Sequence, residues 1–370
     1  MKGYARIAAA VPTAAVADIN ANRESILSLW REASSAGVNV VVFPELSLSG
    51  YSIRDLCMNA TLLDACENSL SLLIEAGAAF ESVAIVGLPV RFNHGLYNVA
   101  AVIHQGKLIG VVPKAYLPNY REFEEARWFR SGFDVPAQAS INIDKHQAPF
   151  GLDLIFDSNL SGLSIGVEIC EDTWVQVPPS SFQVSNGASI ICNLSASNFT
   201  IGKAELRRLL ARSMSDRGKC AYVYVAAGPG ESSTDVSFDA DAFICENGSL
   251  LSESKRFART GQLLVQDIDL ELLSNDAQQP PLVIVPVSIK TQQDAYLLIP
   301  SSQRASLEIF HAPPSCHATQ RLYRIAAGRC SKSRAMLWQH AWPLLANRNW
   351  FWVYQVGSIQ LMQLLLQQQH

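Results

Sequence analysis

The chain has 370 residues, of which 49% are apolar and 17% are charged, so it can bury a large core and is not a disordered polypeptide. Its net charge of −4 gives no attraction to nucleic acid or to an anionic membrane surface, which excludes both as partners on electrostatic grounds. The length predicts about two domains, or one large α/β domain with an appendage.

The cysteines and the first residues indicate the compartment. Eight cysteines are scattered along the chain without a CxxC pair, and most of them lie in apolar runs. This pattern favours free thiols in a reducing compartment over a disulfide framework or a zinc site. The first twenty residues lack the pattern of a signal peptide, and no uncharged stretch approaches the length of a membrane span. We therefore expect a cytoplasmic protein that has no metal site.

The first part of the chain alternates strand and helix patterns. Apolar residues at helical spacing followed by Gly37 predict a helix, and the continuous β-branched run after it predicts a strand that is buried on both faces. In chain order we predict a strand over 4–11, a helix over 18–37, strands over 38–45 and 82–90 with a helix over 61–78 between them, and a hairpin over 96–114 that turns at Gln105-Gly106.

The same alternation continues after residue 160. Apolar runs predict strands over 163–170, 188–195 and 221–228, and a helix is predicted over 203–218. A hairpin with an Asn-Gly turn is predicted over 241–255. Together these elements predict one α/β unit of roughly 270 residues, whose sheets carry helices on one face and pack on the other. After Asp269 the sequence becomes proline-rich and has the composition of a linker.

Three chemically reactive side chains each follow a predicted strand. Glu45 ends the run VVVF, Lys114 follows LIGVVP, and Cys170 ends LSIGVEI. Each has a structural explanation when taken alone: a solvated cap for the glutamate, a surface charge for the lysine and core packing for the cysteine. A base, a cation and a thiol at strand ends of one α/β unit together favour covalent catalysis.

Five ordered blocks carry a resemblance to a known family. They resemble the Glu-Lys-Cys signature of the nitrilase, or carbon–nitrogen hydrolase, superfamily, and more narrowly the glutaminase domain of glutamine-dependent NAD+ synthetases. The resemblance covers roughly residues 4–300, and five blocks are far more specific than one triplet. The blocks are FPELSLSGY (43–51), PKAYLPNYREFEEARWF (113–129), GVEICEDTW (166–174), NLSASNFTIGKAELRRLLARS (193–213) and STDVSFDADAFICENGSLLSES (233–254).

The resemblance implies a nitrilase-type α-β-β-α sandwich and a catalytic mechanism. Cys170 would attack the side-chain amide of L-glutamine, with Glu45 as general base and then acid. Lys114 would stabilise the oxyanion, and Glu125 would orient that lysine and the incoming water. A thioester would form and be hydrolysed, with no cofactor. The resemblance also implies a homo-oligomer.

Glutamine recognition maps by the same resemblance onto Tyr51, Phe123, Glu171, Ser197 and Lys203. An acid such as Glu171 suits the substrate ammonium, and a base such as Lys203 suits its carboxylate. Lys203 stands where some relatives carry arginine, and the two aromatic residues could equally be core residues. The alternatives are a stand-alone amidase that acts on another small amide and a catalytically silent remnant.

The last sixty residues differ from the rest of the chain. No Asp or Glu follows Glu308, and four of the seven tryptophans lie after position 337. Full-length members of the resembled family continue into a synthetase domain that uses ATP and Mg and has a loop of the form SGGxDS, which does not occur in this sequence. Read one frame over, the codons for 349–363 force five residues of LVLGISGGLDSTHA and permit the others.

We therefore expect a frameshift somewhere after residue 310, with coincidence through codon degeneracy or a sequencing error as the alternatives. Sequencing the gene across this region distinguishes them. On this expectation residues 1–272 form the hydrolase domain, 273–310 form a linker or strap, and 311–370 are an aberrant tail that replaces the ATP-binding domain. Such a chain should not form NAD+ itself.

Overall fold

Two β-sheets form the centre of the protein. The computed structural model describes residues 3–158 and 162–278, so most of the predicted linker and the whole predicted tail lie outside the described residues. The first sheet has the strand order β14-β1-β2-β3-β4-β5-β7-β6. Its strands are β1 (Tyr4–Val11), β2 (Val40–Val42), β3 (Val83–Phe92), β4 (Gly95–His104), β5 (Lys107–Pro113), β6 (Ala139–Ile143), β7 (His146–Phe150) and β14 (Gln262–Asp269).

The second sheet has the order β13-β12-β11-β10-β9-β8, with β9, β10 and β11 parallel to one another. Its central strands are apolar and completely buried, as is usual for parallel strands covered on both faces. The strands are β8 (Phe156–Asp157), β9 (Ser164–Ile169), β10 (Ile190–Ser195), β11 (Ala221–Ala226), β12 (Ala242–Glu246) and β13 (Ser249–Glu253).

Helices cover the outer face of each sheet. The first pair, α1 (Ile19–Ser35) and α2 (Ala60–Ala76), packs on the first sheet through one apolar cluster. The second pair, α3 (Pro179–Ser185) and α4 (Lys203–Gly218), packs on the second sheet through another. A third cluster joins the inner faces of both sheets, and it contains side chains from β1, β2, β9, β10 and β11. The predicted α-β-β-α sandwich is therefore confirmed.

The predicted elements are found with small changes of their ends. The strand predicted over 38–45 is shorter, because the chain leaves the sheet after Val42 to form the turn that carries Glu45. Sequence patterns did not predict β6, β7, β8, α3, β14 or the last helix, α5 (Leu270–Gln278). The predicted domain boundary at residue 272 falls inside α5.

The ends of β2, β5 and β9 bring the three reactive residues to the interior between the sheets. Glu45 lies three residues beyond β2, Lys114 directly follows β5, and Cys170 directly follows β9. Two residues in these turns have left-handed backbone conformations, with φ of 49° at Leu46 and 47° at Cys170. Such conformations cost a non-glycine residue roughly 1 kcal/mol, so the surrounding packing has to hold both turns in place.

Gly87 in β3 allows the turn at Glu45 to pack directly on the sheet. A Cβ atom at Gly87 would lie 2.5 Å from the backbone N of Leu46 and 2.5 Å from the carbonyl oxygen of Pro44. The carbonyl of Gly87 in turn accepts a hydrogen bond from the N–H of Leu48, at 3.1 Å. A side chain at this position would push the Glu45 turn off the sheet.

We expect Gly87→Ala to lower the free energy of unfolding by about 1–3 kcal/mol, because backbone atoms must move to admit the methyl group. Urea denaturation measures this change. Gly261→Ala is the matched control, since a Cβ there would make an ordinary 3.5 Å contact with the Val11 carbonyl oxygen. Equal denaturation midpoints for the two variants would contradict the close approach at Gly87.

Candidate active site

Lys114 lies between two carboxylates in the interior of the protein. Its Nζ donates to Oε1 of Glu45 at 2.6 Å and to Oε1 of Glu125 at 2.7 Å. The lysine is 0% exposed and each glutamate is 1% exposed. A buried charge is stable only when it is paired and hydrogen-bonded, and here one cation is shared by two acids.

A neutral side chain donates a further hydrogen bond to one oxygen of each acid. Asn98 in β4 donates from Nδ2 to Oε1 of Glu45 at 2.7 Å, and the Tyr51 hydroxyl donates to Oε1 of Glu125 at 2.7 Å. The second oxygen of each glutamate, Oε2, is buried and has no hydrogen-bond partner among residues 3–158 and 162–278. Buried polar atoms are rarely left in this state, so each Oε2 is an acceptor available to a substrate group or to a proton in transfer.

The charges in this cluster shift one another's pKa values. Burial alone would lower the pKa of Lys114, but Glu125 and Glu45 raise it well above its ordinary value, so the lysine stays an ammonium. Burial raises the pKa of Glu125 to about 7, against the opposing effect of Lys114. The cluster therefore holds a permanent cation beside an acid that titrates near neutrality.

Cys170 begins a 3₁₀ turn, Cys170–Thr173, that follows β9. Burial raises the pKa of its thiol to about 12, and Glu45 adds to this rise, while Lys114 and a hydrogen bond from the backbone N–H of Ala196 lower it. These electrostatic contacts place the thiol next to the Glu45–Lys114–Glu125 cluster. The thiol is protonated at neutral pH, so nucleophilic attack requires a base to accept its proton.

Asp172 connects the turn of Cys170 to the turn of Lys114. Its carboxylate accepts from the N–H of Ile169 at 2.9 Å, of Tyr116 at 2.8 Å and of Ala115 at 3.4 Å. Burial raises the pKa of Asp172 to about 8, and the N–H donors of Ile169 and Tyr116 oppose that rise. The acid is therefore occupied by backbone donors from the end of β9 and from the turn that follows β5, and it links these two segments.

Two predicted recognition residues of opposite charge lie at the half-exposed edge of the site. Glu171 follows Cys170 and accepts from the Tyr120 hydroxyl at 3.0 Å. Lys203 Nζ lies 5.6 Å from the ring centre of Phe123 and 5.3 Å from that of Trp174. Burial raises the pKa of Glu171 and lowers that of Lys203. The attraction between the two charges opposes both of these shifts.

The remaining predicted residues have different surroundings. Ser197 is buried in the segment after β10, and Phe123 contacts Lys203 as described above. Tyr51 packs edge-on against Phe238, and its hydroxyl is used by Glu125. The structure therefore places Tyr51 beside the Glu45–Lys114–Glu125 cluster as a partner of Glu125.

Sequence reasoning missed Asn98, Tyr120 and Trp174. Asn98 is a completely buried amide in the apolar run LYNVAAVI, and that contrast was a usable signal. Tyr120 and Trp174 lie inside the quoted blocks, but only the structure shows that they meet Glu171 and Lys203. Within residues 3–158 and 162–278, no group of three or more His, Cys, Asp or Glu could hold a metal ion, and no helix is long and apolar enough to cross a membrane.

Comparisons with known proteins show which family the chain matches and which proteins it is similar to. The chain matches the sequence profile of the carbon-nitrogen hydrolase family over residues 6–278. A glutamine-dependent NAD(+) synthetase of Mycobacterium leprae is 47% identical over 276 residues, which are 74% of this chain and 40% of that protein. The chain thus spans well under half of that relative.

Solved structures give the same fold. A glutamine-dependent NAD(+) synthetase from Cytophaga hutchinsonii superposes with a TM-score of 0.63 at 26% identity, over 72% of this chain and 43% of that one. An amidase of the nitrilase superfamily from Nesterenkonia superposes with a TM-score of 0.58 at 18% identity, over 74% of this chain and 95% of that one.

We expect Asp172→Ala to lower the free energy of unfolding by about 2–4 kcal/mol, because it leaves buried N–H donors without an acceptor. Thermal or urea denaturation measures the change. Asp153→Ala is the control, since Asp153 is exposed. A loss no larger than that of the control would show that the two turns do not depend on this carboxylate.

Proposed function

The chain belongs to the carbon–nitrogen hydrolase family, and on that premise we propose that it hydrolyses the side-chain amide of L-glutamine to glutamate and ammonia. The observation that carries the proposal is the buried lysine shared by two glutamates beside a protonated thiol. An amide is a poor electrophile with a poor leaving group. Its cleavage needs a nucleophile, a proton carrier and a cation for the oxyanion, and the site offers one of each.

In the first step, Sγ of Cys170 attacks the amide carbon while its proton passes to Glu45. A C–S bond forms, and the carbonyl π electrons move to oxygen. The Lys114 ammonium stabilises that oxyanion, helped by a backbone N–H beside the cysteine. Because the thiol pKa is about 12, transfer of the proton accompanies the attack.

Collapse of the intermediate breaks the C–N bond. The protonated Glu45 gives its proton to the leaving nitrogen, and ammonia departs from a thioester. Water then attacks the thioester carbon, and Glu45 accepts a proton from it. The C–S bond breaks as Glu45 returns that proton to the leaving sulfur, which releases glutamate and restores the thiol. Glu125 orients Lys114 and the incoming water, and the unpartnered Oε2 of Glu125 supports that function.

The edge of the site suits an α-amino acid. Glu171 faces the substrate ammonium and Lys203 its carboxylate, while Ser197, Phe123 and Tyr51 line the approach to the nucleophile. No ion pair within 4.0 Å joins Glu171 to Lys203 among the described residues, although each influences the pKa of the other. Two opposite charges kept apart match a substrate that carries one of each at a fixed separation.

The similarity to glutamine-dependent NAD(+) synthetases supports a specific use for the ammonia. We propose that this domain supplies ammonia for the synthesis of NAD+ from nicotinic acid adenine dinucleotide, as part of a homo-oligomer. The glutaminase steps use no cofactor. ATP and Mg belong to the synthetase reaction. The tail that is expected to replace the ATP-binding domain, residues 311–370, lies outside the described residues.

We expect Cys170→Ala to abolish the release of ammonia and glutamate from glutamine, because no other group can form the thioester. Coupled enzymatic assays measure both products, which should appear in equal amounts with the wild-type protein. Cys192→Ala is the matched control, since Cys192 is a buried thiol within β10. Activity that persists in Cys170→Ala would exclude the thiol mechanism, and turnover of other amides without turnover of glutamine would favour a stand-alone amidase.

We expect kcat/KM for glutamine to fall about tenfold from pH 8 to pH 6, because a carboxyl with a pKa of about 7 takes up its proton in that range. The pKa of Glu125 is raised, so the ionised form that supports Lys114 is lost as the pH falls. Rates across this range should be flat within about twofold in Glu125→Gln, whatever its absolute activity. A flat wild-type profile would contradict the assignment to Glu125.

A further inference from the structure

A buried cluster of charges lies behind the recognition edge and takes no part in the proposed chemistry. Arg207 in α4 is 1% exposed, and Asp239 and Asp241 are each 0% exposed. Nη1 of Arg207 donates to both oxygens of Asp239, at 2.9 and 2.8 Å, and to Oδ2 of Asp241 at 3.2 Å. Buried ion pairs add little net stability, and their best-attested use is to fix a particular conformation.

The contacts of the other guanidinium nitrogen, Nη2, show which segment of the chain the cluster holds in place. Nη2 donates to the carbonyl of Ser197 at 3.0 Å and to the carbonyl of Asn198 at 2.7 Å. These residues directly follow Ala196, whose N–H lowers the pKa of Cys170 through a hydrogen bond. A guanidinium holds its donors in one rigid plane, so the carboxylates on one side determine where the segment on the other side lies.

Asn198 extends this constraint to the edge of the site. Its Oδ1 accepts from Nζ of Lys203, and its Nδ2 donates to Glu122, which is next to Phe123. The backbone that Arg207 holds therefore carries the side chain that orients the lysine and anchors the loop bearing the aromatic residue. Two further arginines also form ion pairs with these acids: Arg208 with Asp241, and Arg256 with Asp239.

We propose that Arg207 is a positioning residue for substrate binding: with Asp239 and Asp241 it holds the 197–198 segment so that Asn198 aims Lys203 at the substrate carboxylate. This inference rests on the proposed function. It predicts that damage to the cluster weakens glutamine binding while leaving the nucleophile and its base intact.

Arg207→Lys keeps the buried charge and removes the planar fork. We expect KM for glutamine to rise about tenfold, with kcat within about threefold of the wild-type value. Alkylation of Cys170 by iodoacetamide, followed by mass spectrometry, should proceed within about twofold of the wild-type rate, because this reagent carries neither charged end of glutamine. Arg212→Lys is the control, since Arg212 lies on the same helix but is exposed, and it should leave both values unchanged.

Asn198→Ala tests the same connection without disturbing a buried charge, and it decides the question if Arg207→Lys does not fold. We expect the same increase in KM and the same alkylation rate. An unchanged KM in the folded variants would overturn the proposal, as would a parallel loss of kcat, alkylation rate and melting temperature, which indicates a purely structural cluster. If the wild-type protein releases no ammonia from glutamine, the proposed function fails and this inference fails with it. If the wild-type protein is active and both variants have its KM for glutamine, the inference alone is contradicted.

Discussion

The interaction on which the site depends is the ammonium of Lys114 held between the carboxylates of Glu45 and Glu125. Burial disfavours the ammonium form, and the two acids outweigh that effect and raise the pKa of Lys114; the lysine in turn lowers the pKa of Glu125, against the effect of burial. Each acid commits one oxygen to the lysine, and the other oxygen has no partner among the described residues. One acceptor oxygen on each acid is thus left over beside the shared ammonium.

The two sheets of the sandwich pack against each other so that this cluster lies next to the thiol. Glu45 and Lys114 come from the first sheet, and Cys170 comes from the second. Hydrogen bonds between the two halves fix the distance: the N–H of Glu45 donates to Ser195 of β10, and Asp172 accepts from Tyr116. The apolar cluster between the sheets and these hydrogen bonds therefore together hold the candidate site in place.

Much of this could be predicted from the sequence, because each reactive residue directly follows an apolar run and such runs mark buried strands. Apolar runs predicted the central strands of both sheets, and helical spacing predicted α1, α2 and α4, whereas β6, β7, β8 and β14 were not predicted. The hairpin of β6 and β7 alternates exposed and buried residues over five positions each, which is too short to distinguish from a loop. Arg207 could not be assigned from its block, since its partners Asp239 and Asp241 lie more than thirty residues away.

Burial favours the uncharged form both of the thiol in the interior and of the two charged groups at the edge of the site. In the interior it keeps the thiol of Cys170 protonated, so in the proposed mechanism the thiol would be activated only when an amide carbon is present to receive the electron pair. At the half-exposed edge, burial raises the pKa of Glu171 and lowers that of Lys203, and in the proposed function the charged ends of the substrate would oppose both shifts. On that proposal, selection would occur at the edge and the chemistry in the interior. An amide that lacks either charged end would reach the thiol without the interactions that hold it there.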